Sequence, residues 1–239
     1  MDIDSTTFSP PAPHRLFWQG AAAIIPLCVA VIPWGILAGS FAIDAGLSVL
    51  ESQALSVILF AGSAQLVATG MIKAGVGLAT MLLTTFFITS RHLLYSISMR
   101  QKISPLPLKW RLILGFLLTD ELFALCGQQS EKQFNRWYAL GAGLIFYLVW
   151  NLATLVGIVA GQYIPALNQF GLEFAVAATF IALVVPHMTT LPVTLAAGVA
   201  LLLSVLLTAW QVEGTLMFAS IGGMLAGYGC ETWQKRKER

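Results

Sequence analysis

The sequence contains very few charged residues. Asp, Glu, Lys and Arg make up 10% of the 239 residues, whereas 57% are hydrophobic; soluble globular domains carry about 25% charged residues. This composition excludes an ordinary soluble fold and indicates a membrane protein. The 13 Lys and Arg against 11 Asp and Glu give no nucleic-acid signal, because the positive residues lie in loops beside hydrophobic segments.

Cysteine and histidine are also scarce, with three residues of each. Cys28, Cys126 and Cys230 lie in apolar segments without a CxxC spacing, so we interpret them as small buried hydrophobic residues. The histidines have no metal-ligand spacing, and the HExxH, Walker, dinucleotide-binding and nucleophile-elbow motifs are missing. These absences argue against an enzyme, and the sequence predicts no cofactor and no metal.

The chain is instead dominated by long hydrophobic runs. Most approach the roughly 20 residues that span a bilayer, and none alternates with the period of a strand. We therefore predict an all-α fold: a polytopic transmembrane helix bundle with an internal repeat and broken or re-entrant helices. The runs are Trp18 to Ile43, Ser52 to Ile72, Gly77 to Ser98, Trp110 to Gln128, Trp137 to Ile164, Leu172 to Val185, Leu191 to Trp210 and Gly214 to Gly229.

The predicted organisation is one transmembrane transport domain, residues 17–230, between an N-terminal tail, 1–16, and a basic C-terminal tail, 231–239. The start of the chain lacks the positive region of a cleaved signal peptide. Within the domain, Trp34 to Gly39 matches Val156 to Gly161. The match indicates either a duplication, with repeats over 20–127 and 137–230, or helix-packing patterns of small residues that recur by chance.

The basic residues constrain the topology. If all eight runs cross and the basic C-terminal tail is cytoplasmic, the Arg100 to Arg111 loop lies outside, against the positive-inside rule. One re-entrant segment in each repeat, around Gly62-Ser63 and around Pro186, puts Arg15 and both basic clusters inside. The two repeats are then expected to be inverted. Seven or eight spans remain alternatives.

Two charged pairs interrupt the hydrophobic runs, Arg91-His92 and Asp120-Glu121. An ionised side chain at such depth costs roughly 2.5 to 3.5 kcal/mol on insertion scales. These groups are therefore expected to face each other, water or a polar ligand, which predicts a transport site. In one alternative, Arg91 snorkels toward the basic loop and His92 caps a neighbouring carbonyl. In another, an acid forms a purely structural ion pair between two helices.

The chemistry of each group suggests a role. Arg91 suits a carboxylate because its guanidinium offers paired donors and stays charged, whereas His92 can change protonation near neutral pH. Tyr95 follows Arg91 on the same stripe of the helix. Asp120 is expected to pair with Arg91, bind an ammonium group or carry a proton. Its neighbour Glu121 points about 100° away, so one acid serves the pocket and the other a helix contact.

Polar and small residues interrupt the second run at Gly62-Ser63-Ala64-Gln65. This composition is typical of a helix break that exposes backbone groups to a ligand. Close helix packing through Gly62 is the alternative. For Asn151 we expect a hydrogen bond across helices in preference to a ligand contact.

These motifs resemble the AzlC family, the large subunit of a two-component exporter of branched-chain amino acids. The resemblance extends over Gly20 to Gly229. One departure is Ser90, where the family usually has Asn, and this shorter side chain bears on substrate preference. The segments that carry the resemblance are Phe60 to Gln65, Arg91 to Tyr95, Leu118 to Glu121 and Phe174 to Leu183.

The resemblance implies efflux of valine, leucine, isoleucine or methionine across a bacterial inner membrane, together with a small AzlD-type partner subunit. From the residues we expect that a proton taken up by His92 or a carboxylate as substrate leaves couples export to the proton gradient. A docking subunit without transport activity and a small-solute channel are the alternatives. For substrate binding we expect Arg91, Asp120, Glu121, Gly62, Ser63, Gln65 and Tyr95, and for proton coupling His92, Asp120 and Glu121. Phe86, Phe87 or Phe123 is expected to form the apolar wall around the substrate side chain.

Overall fold

The computed structural model describes residues 12–163, 181, 185, 188–212 and 214–237, without the side chain of Leu216. The predicted segment Leu172 to Val185, the motif Phe174 to Leu183 and the break around Pro186 lie wholly or largely outside these residues. Over the described ranges the fold is all-α, as predicted. The helices are α1 Pro13–Asp44, α2 Val49–Ile58, α3 Gly62–Lys73, α4 Leu78–Thr89, α5 Arg91–Ile103, α6 Leu108–Phe116, α7 Asp120–Cys126, α8 Arg136–Tyr163, α9 Leu191–Ala209 and α10 Thr215–Lys237.

Within the part of the chain that the structure describes, three helices, α1, α8 and α9, are each long and apolar enough to cross a membrane. The chain divides into two compact units. The first contains residues up to 76 and from 88 to 172, and the second contains residues 77–87 and 173–239. The groups of the candidate site belong to the first unit. In the second unit, α9 and α10 run antiparallel, because Gly227 lies against the backbone of Pro192 and Gly223 against that of Ala196.

Helices α1 and α8 are the two long helices at the centre of the first unit, and they run parallel along most of their length. Near their starts, a side chain on Gly141 would meet the carbonyl of Phe17. Near their ends, a side chain on Gly157 would meet the carbonyl of Ile36, and Gly161 lies against Ser40. Glycines thus let the two backbones touch, as small-residue packing predicts. Because α1 and α8 open the two predicted repeats, the expected inversion is wrong for this pair; the duplication itself stays a prediction.

Helices α2 and α3 form a hairpin on the side of α1 where that helix ends. The break between them contains Phe60, whose φ of 38° lies in the left-handed region. Ser48 caps α2 in a capping box with Glu51, and α3 ends at Lys73, whose ammonium lies 2.6 Å from Asp44 at the end of α1. The hairpin tip, at Gly62, reaches the middle of the α1–α8 pair. We name α2 to α3 the outer hairpin.

Helices α6 and α7 form a second hairpin that starts from the opposite end of the α1–α8 pair. At its entrance, Trp110 packs edge-on against Trp137 at the start of α8, with ring centroids 4.8 Å apart. At its exit, the Lys102 ammonium at the end of α5 donates to the carbonyls of Cys126 and Gly127 at 3.0 and 2.6 Å. The expected crossing by Trp110 to Gln128 is therefore replaced by a hairpin that turns back. We name α6 to α7 the inner hairpin.

The smaller predictions have clear outcomes. Asn151 bonds across helices as expected, since its side-chain oxygen accepts from Gln53 at 3.0 Å. Cys28 and Cys126 are buried, and Cys230 is partly exposed. A re-entrant course of the outer hairpin in a bilayer stays a prediction.

Candidate functional site

The two hairpin tips meet beside the start of α5, and this meeting brings the charged pairs together. The Arg91 guanidinium forms an ion pair with Asp120, with Nη2 2.8 Å from Oδ2. The same nitrogen donates to Ser63 Oγ of the outer hairpin at 3.1 Å. Arg91 therefore joins α5 to both hairpins, and the expected convergence of the third and fourth hydrophobic runs is observed.

Local structure explains how Asp120 reaches this position. Helix α6 ends at Phe116, and α7 begins after Thr119, which has an extended backbone. The Thr119 hydroxyl caps the new helix by accepting from the Leu122 amide at 3.4 Å. The break places two carboxylates in the first turn of α7, where the helix dipole favours negative charge. Asp120 is held on its other side by the Tyr95 hydroxyl, which donates to Oδ1 at 2.6 Å.

A cavity of about 30 Å³ lies beside the ion pair. Five of its lining residues are polar, and the others are apolar and largely aromatic. Space of this size holds about two water molecules, so an amino acid, which is larger, requires the walls to move. The polar wall consists of Arg91, His92, Thr119, Asp120 and Glu121, and the remainder of Val31, Trp34, Phe60, Ala61, Gly62, Phe146 and Trp150.

Two buried donors of this site have no hydrogen-bond acceptor among the described residues. They are the Arg91 Nε and the indole Nε1 of Trp150, a side chain only 2% exposed. The outer hairpin adds the start of α3, whose N-cap residue, Ala61, makes no side-chain cap. Buried donors without partners destabilise a fold, so the site has an excess of donors that an anionic group would satisfy.

The structure separates the predicted site residues into three sets. Arg91, His92, Asp120, Glu121 and Gly62 line the cavity. Ser63 and Tyr95 stand behind it, each bonded to one member of the ion pair. Gln65 lies apart from this cavity lining, completely buried and bonded to Ser56.

Two alternatives from the sequence bear on this geometry. His92 Nδ1 lies 3.0 Å from the carbonyl oxygen of Thr89, so its ring makes the local contact expected of a capping residue. Gly62 lies at a helix break and is also closely packed, whereas its contact with a ligand stays a prediction. It begins α3 after a break, and a side chain there would lie 2.8 Å from Trp150 Cη2 and 3.1 Å from Trp34 Cε3.

The apolar wall differs from the one that the sequence predicts. Phe123 is missing from the cavity lining and instead stacks on Tyr95, with ring centroids 4.4 Å apart. Phe86 and Phe87 belong to the second unit, so the role expected for them stays a prediction. The residues that form the wall, such as Trp34 and Trp150, come from the middle of α1 and α8. An aromatic residue within a long apolar helix carries no signal that separates a pocket from lipid, so sequence reasoning missed them.

Comparisons with known proteins show which family this chain is similar to. The family model described as "AzlC protein" matches residues 26–164. The inner membrane protein YgaZ of Escherichia coli (strain K12) is 31% identical over 164 residues, 67% of each chain. An uncharacterized membrane protein of Archaeoglobus fulgidus is 29% identical over 219 residues, 90% of this chain and 96% of that one.

A further relative is the branched-chain amino acid transport protein AzlC of Bacillus subtilis (strain 168). It is 29% identical over 159 residues, which are 66% of this chain and 62% of that protein. No solved structure matches the chain. The match of the family model includes both hairpins and every group of the cavity.

Proposed function

Since the chain belongs to the AzlC family, we propose that it exports branched-chain and related hydrophobic amino acids: valine, leucine, isoleucine and methionine. The observation that carries this proposal is the cavity at the hairpin tips, where a charged pair faces an aromatic wall. The Bacillus subtilis relative, which is named a branched-chain amino acid transport protein, supports it.

A zwitterion with an apolar side chain matches the three surfaces of this cavity. Its carboxylate would take the unpaired donors of Arg91 and Trp150, close to the positive end of the α3 dipole. Its ammonium would approach Asp120 and Glu121 on the polar wall. Its side chain would lie against the indole of Trp34 and the rings of Phe60 and Phe146, where burial of apolar area favours binding.

Proton coupling is the next part of the proposal. Asp120 is already held by Arg91 and Tyr95, whereas Glu121 lines the cavity and has no cationic partner within 4.0 Å among the described residues. We propose that Glu121 takes up the proton that drives export, with His92 beside it on the cavity wall. In the same scheme Asp120 changes partner from Arg91 to substrate.

The charges at the two ends of the first unit support an orientation in the inner membrane. The end where α1 begins carries seven basic side chains, whereas the end with Asp44 and Glu51 has a single basic residue, Lys73. By the positive-inside rule the basic end faces the cytoplasm. The outer hairpin would then enter from the opposite side and return. The seven are Arg15, Arg100, Lys102, Lys109, Arg111, Lys132 and Arg136.

The partner forms a separate part of the proposal. We propose that a small membrane subunit of the AzlD type acts with this chain, as the family resemblance implies. Reconstituting the chain alone and with that subunit would test it. Leucine transport by the chain alone would show that the pathway lies within it and that the partner is dispensable.

The function is tested by leucine efflux from preloaded cells that express the Arg91→Ala variant. Loss of the guanidinium removes both the ion pair and the carboxylate donor, so we expect efflux to fall to the level of cells without the protein. Arg111→Ala, a change at an exposed arginine of α6, is the matched control and should export normally. Unchanged efflux by an inserted Arg91→Ala protein would remove this cavity from the mechanism.

A further inference from the structure

A row of polar side chains follows the inner faces of the outer hairpin from the cavity toward its open end. Ser52 and Ser56 are one turn apart on α2, and Gln65 and Thr69 are one turn apart on α3. All four are completely buried, as is Thr154 of α8, which follows the cavity residue Trp150 by one turn. We name these five residues the polar seam.

The part of the seam nearest the cavity, its lower part, is a directed chain of hydrogen bonds. Gln65 Nε2 donates to Ser56 Oγ at 2.8 Å, and the Ser56 hydroxyl lies 2.8 Å from Thr154 Oγ1. Thr154 in turn donates to the carbonyl of Trp150 at 3.0 Å. The Ser56 hydroxyl also lies 3.0 Å from Gln65 Oε1, but it has one hydrogen for two acceptors. Either Gln65 Oε1 or Thr154 Oγ1 therefore receives no hydrogen bond from Ser56.

In the upper part of the seam, toward the open end of the hairpin, the hydroxyl groups have even fewer hydrogen bonds. Ser56 contacts Gln65 across the hairpin, so Ser52 and Thr69 stand opposite each other one turn farther on. Neither hydroxyl has a hydrogen-bond partner in the described structure. Polar residues that serve only to hold membrane helices together are bonded to each other. Buried hydroxyls without partners cost stability instead and require another explanation.

The position of the seam supplies that explanation. Its lower end adjoins Gly62 and Trp150 of the cavity, and its upper end lies one turn from the hairpin opening at Lys73 and Asp44. No Lys, Arg, Asp or Glu lies in α2 or α3 between Ser52 and Thr69. A neutral, hydroxyl-lined route would let a zwitterion pass without trapping either of its charges.

We propose that the polar seam is the outer half of the solute pathway, described here in its closed form. When the arms of the outer hairpin separate from each other and from α8, the unpaired hydroxyls of Ser52 and Thr69 become hydrated and the substrate leaves between them. This inference rests on the proposed export function, because it assigns the exit route for the substrate of the same cavity.

Cysteine labelling tests the pathway directly. In a protein whose three native cysteines are replaced, Ser52→Cys and Thr69→Cys are exposed to a membrane-impermeant, charged thiol reagent, in intact cells and in inside-out vesicles, with and without leucine. We expect both to react from the extracytoplasmic side, several-fold faster during export. Ala68→Cys is the matched control, because Ala68 is the neighbour of Thr69 and also buried, at 6% exposure; it should not react.

A second variant separates a pathway from a packing contact. Thr69→Val keeps the shape of the side chain and removes the unpaired hydroxyl. A pathway predicts that export falls several-fold while the melting temperature stays equal or rises. Normal export by this variant, or cysteines at 52 and 69 as unreactive as the one at 68, would overturn the inference. If Arg91→Ala abolishes efflux in the same cells, that failure leaves the proposed export function intact.

Discussion

The two hairpins share a shape but differ in chemistry. The outer hairpin has neutral hydroxyl and amide side chains on its inner faces, and it brings Gly62 to the cavity and Ser63 to Arg91. The inner hairpin has two carboxylates at its tip, in the first turn of α7. Arg91 stands between them, with one contact to Ser63 and one to Asp120.

This difference explains how a low-charge chain keeps ionised groups within hydrophobic segments. The charge is confined to the tip of one hairpin and the start of α5, where the acid and the arginine neutralise each other. At the site the outer hairpin supplies only neutral partners, so its tip can move without separating unlike charges there. The outer hairpin is thus suited to opening, and the inner hairpin to holding the charged site.

The largest effect is expected when the charge of the inner hairpin is removed. Asp120→Asn keeps an acceptor for Tyr95 but leaves Arg91 without its counterion. Breaking a fully buried ion pair costs about 3 to 5 kcal/mol, and this partly exposed pair should cost less. We expect export to fall at least tenfold and the melting temperature in detergent to drop.

The matched control for that change is Asp44→Asn, which opens the solvent-exposed pair with Lys73 at the mouth of the outer hairpin. It should leave export near the wild-type rate. Equal losses in Asp120→Asn and Asp44→Asn would show that the site in the inner hairpin has no special role.

The next effect concerns the tip of the outer hairpin. In Gly62→Ala the new methyl group would lie 2.8 Å from Trp150 Cη2, closer than packed side chains allow, so we expect a loss of about 1 to 3 kcal/mol. Gly70→Ala on the same helix is the control, since the nearest atoms to its new methyl group would be ring atoms of Phe41 at 3.8 Å. Thermal unfolding of both variants measures the difference, and equal melting temperatures would contradict the close approach.

A smaller effect is expected from Tyr95→Phe. The change removes the 2.6 Å bond to Asp120 and keeps the stacking on Phe123. Hydrogen bonds to charged groups contribute about 1.5 to 3 kcal/mol, shared here between binding and stability. We expect export to slow several-fold, measured by initial efflux rates, with Tyr163→Phe at an exposed position as the control. A rate equal to that of the control would mean that Asp120 needs no support from α5.

The smallest effect is expected for Lys73→Gln. Both side chains of its ion pair with Asp44 are nearly half exposed, and such pairs contribute about 0 to 1 kcal/mol. Stability and export should both stay close to wild type in low and high salt. A strong salt-dependent loss would indicate that the mouth of the outer hairpin is held shut by this pair.

Sequence reasoning identified the charged groups better than their surroundings. Arg91 and Asp120 were identifiable because ionised residues are rare and costly in apolar segments. The apolar wall of Trp34 and Trp150 was not, because apolar residues dominate every helix of the chain. Gln65 was assigned to the ligand on polarity alone, and only its burial against Ser56 revealed a different position.

The sequence also did not predict the direction in which the helices run. A hydrophobic run such as Trp110 to Gln128 has the length of a span, yet it bends at Leu117 to Thr119 and returns, with its exit beside Lys102. Span length and charge counting are insensitive to such a turn. Contacts between helices, among them the glycine contacts of α1 and α8, were needed to show it.

The amino-acid sequence by itself determined that this protein is a helical membrane protein, that its family is AzlC and that ionised groups lie within apolar segments. These properties follow from composition and local motifs, which do not depend on the tertiary structure. The tertiary structure alone decided that two hairpins meet at their tips around Arg91, with an aromatic wall on one side. That arrangement depends on which surfaces touch, and close packing between distant segments has no local signature in an apolar chain.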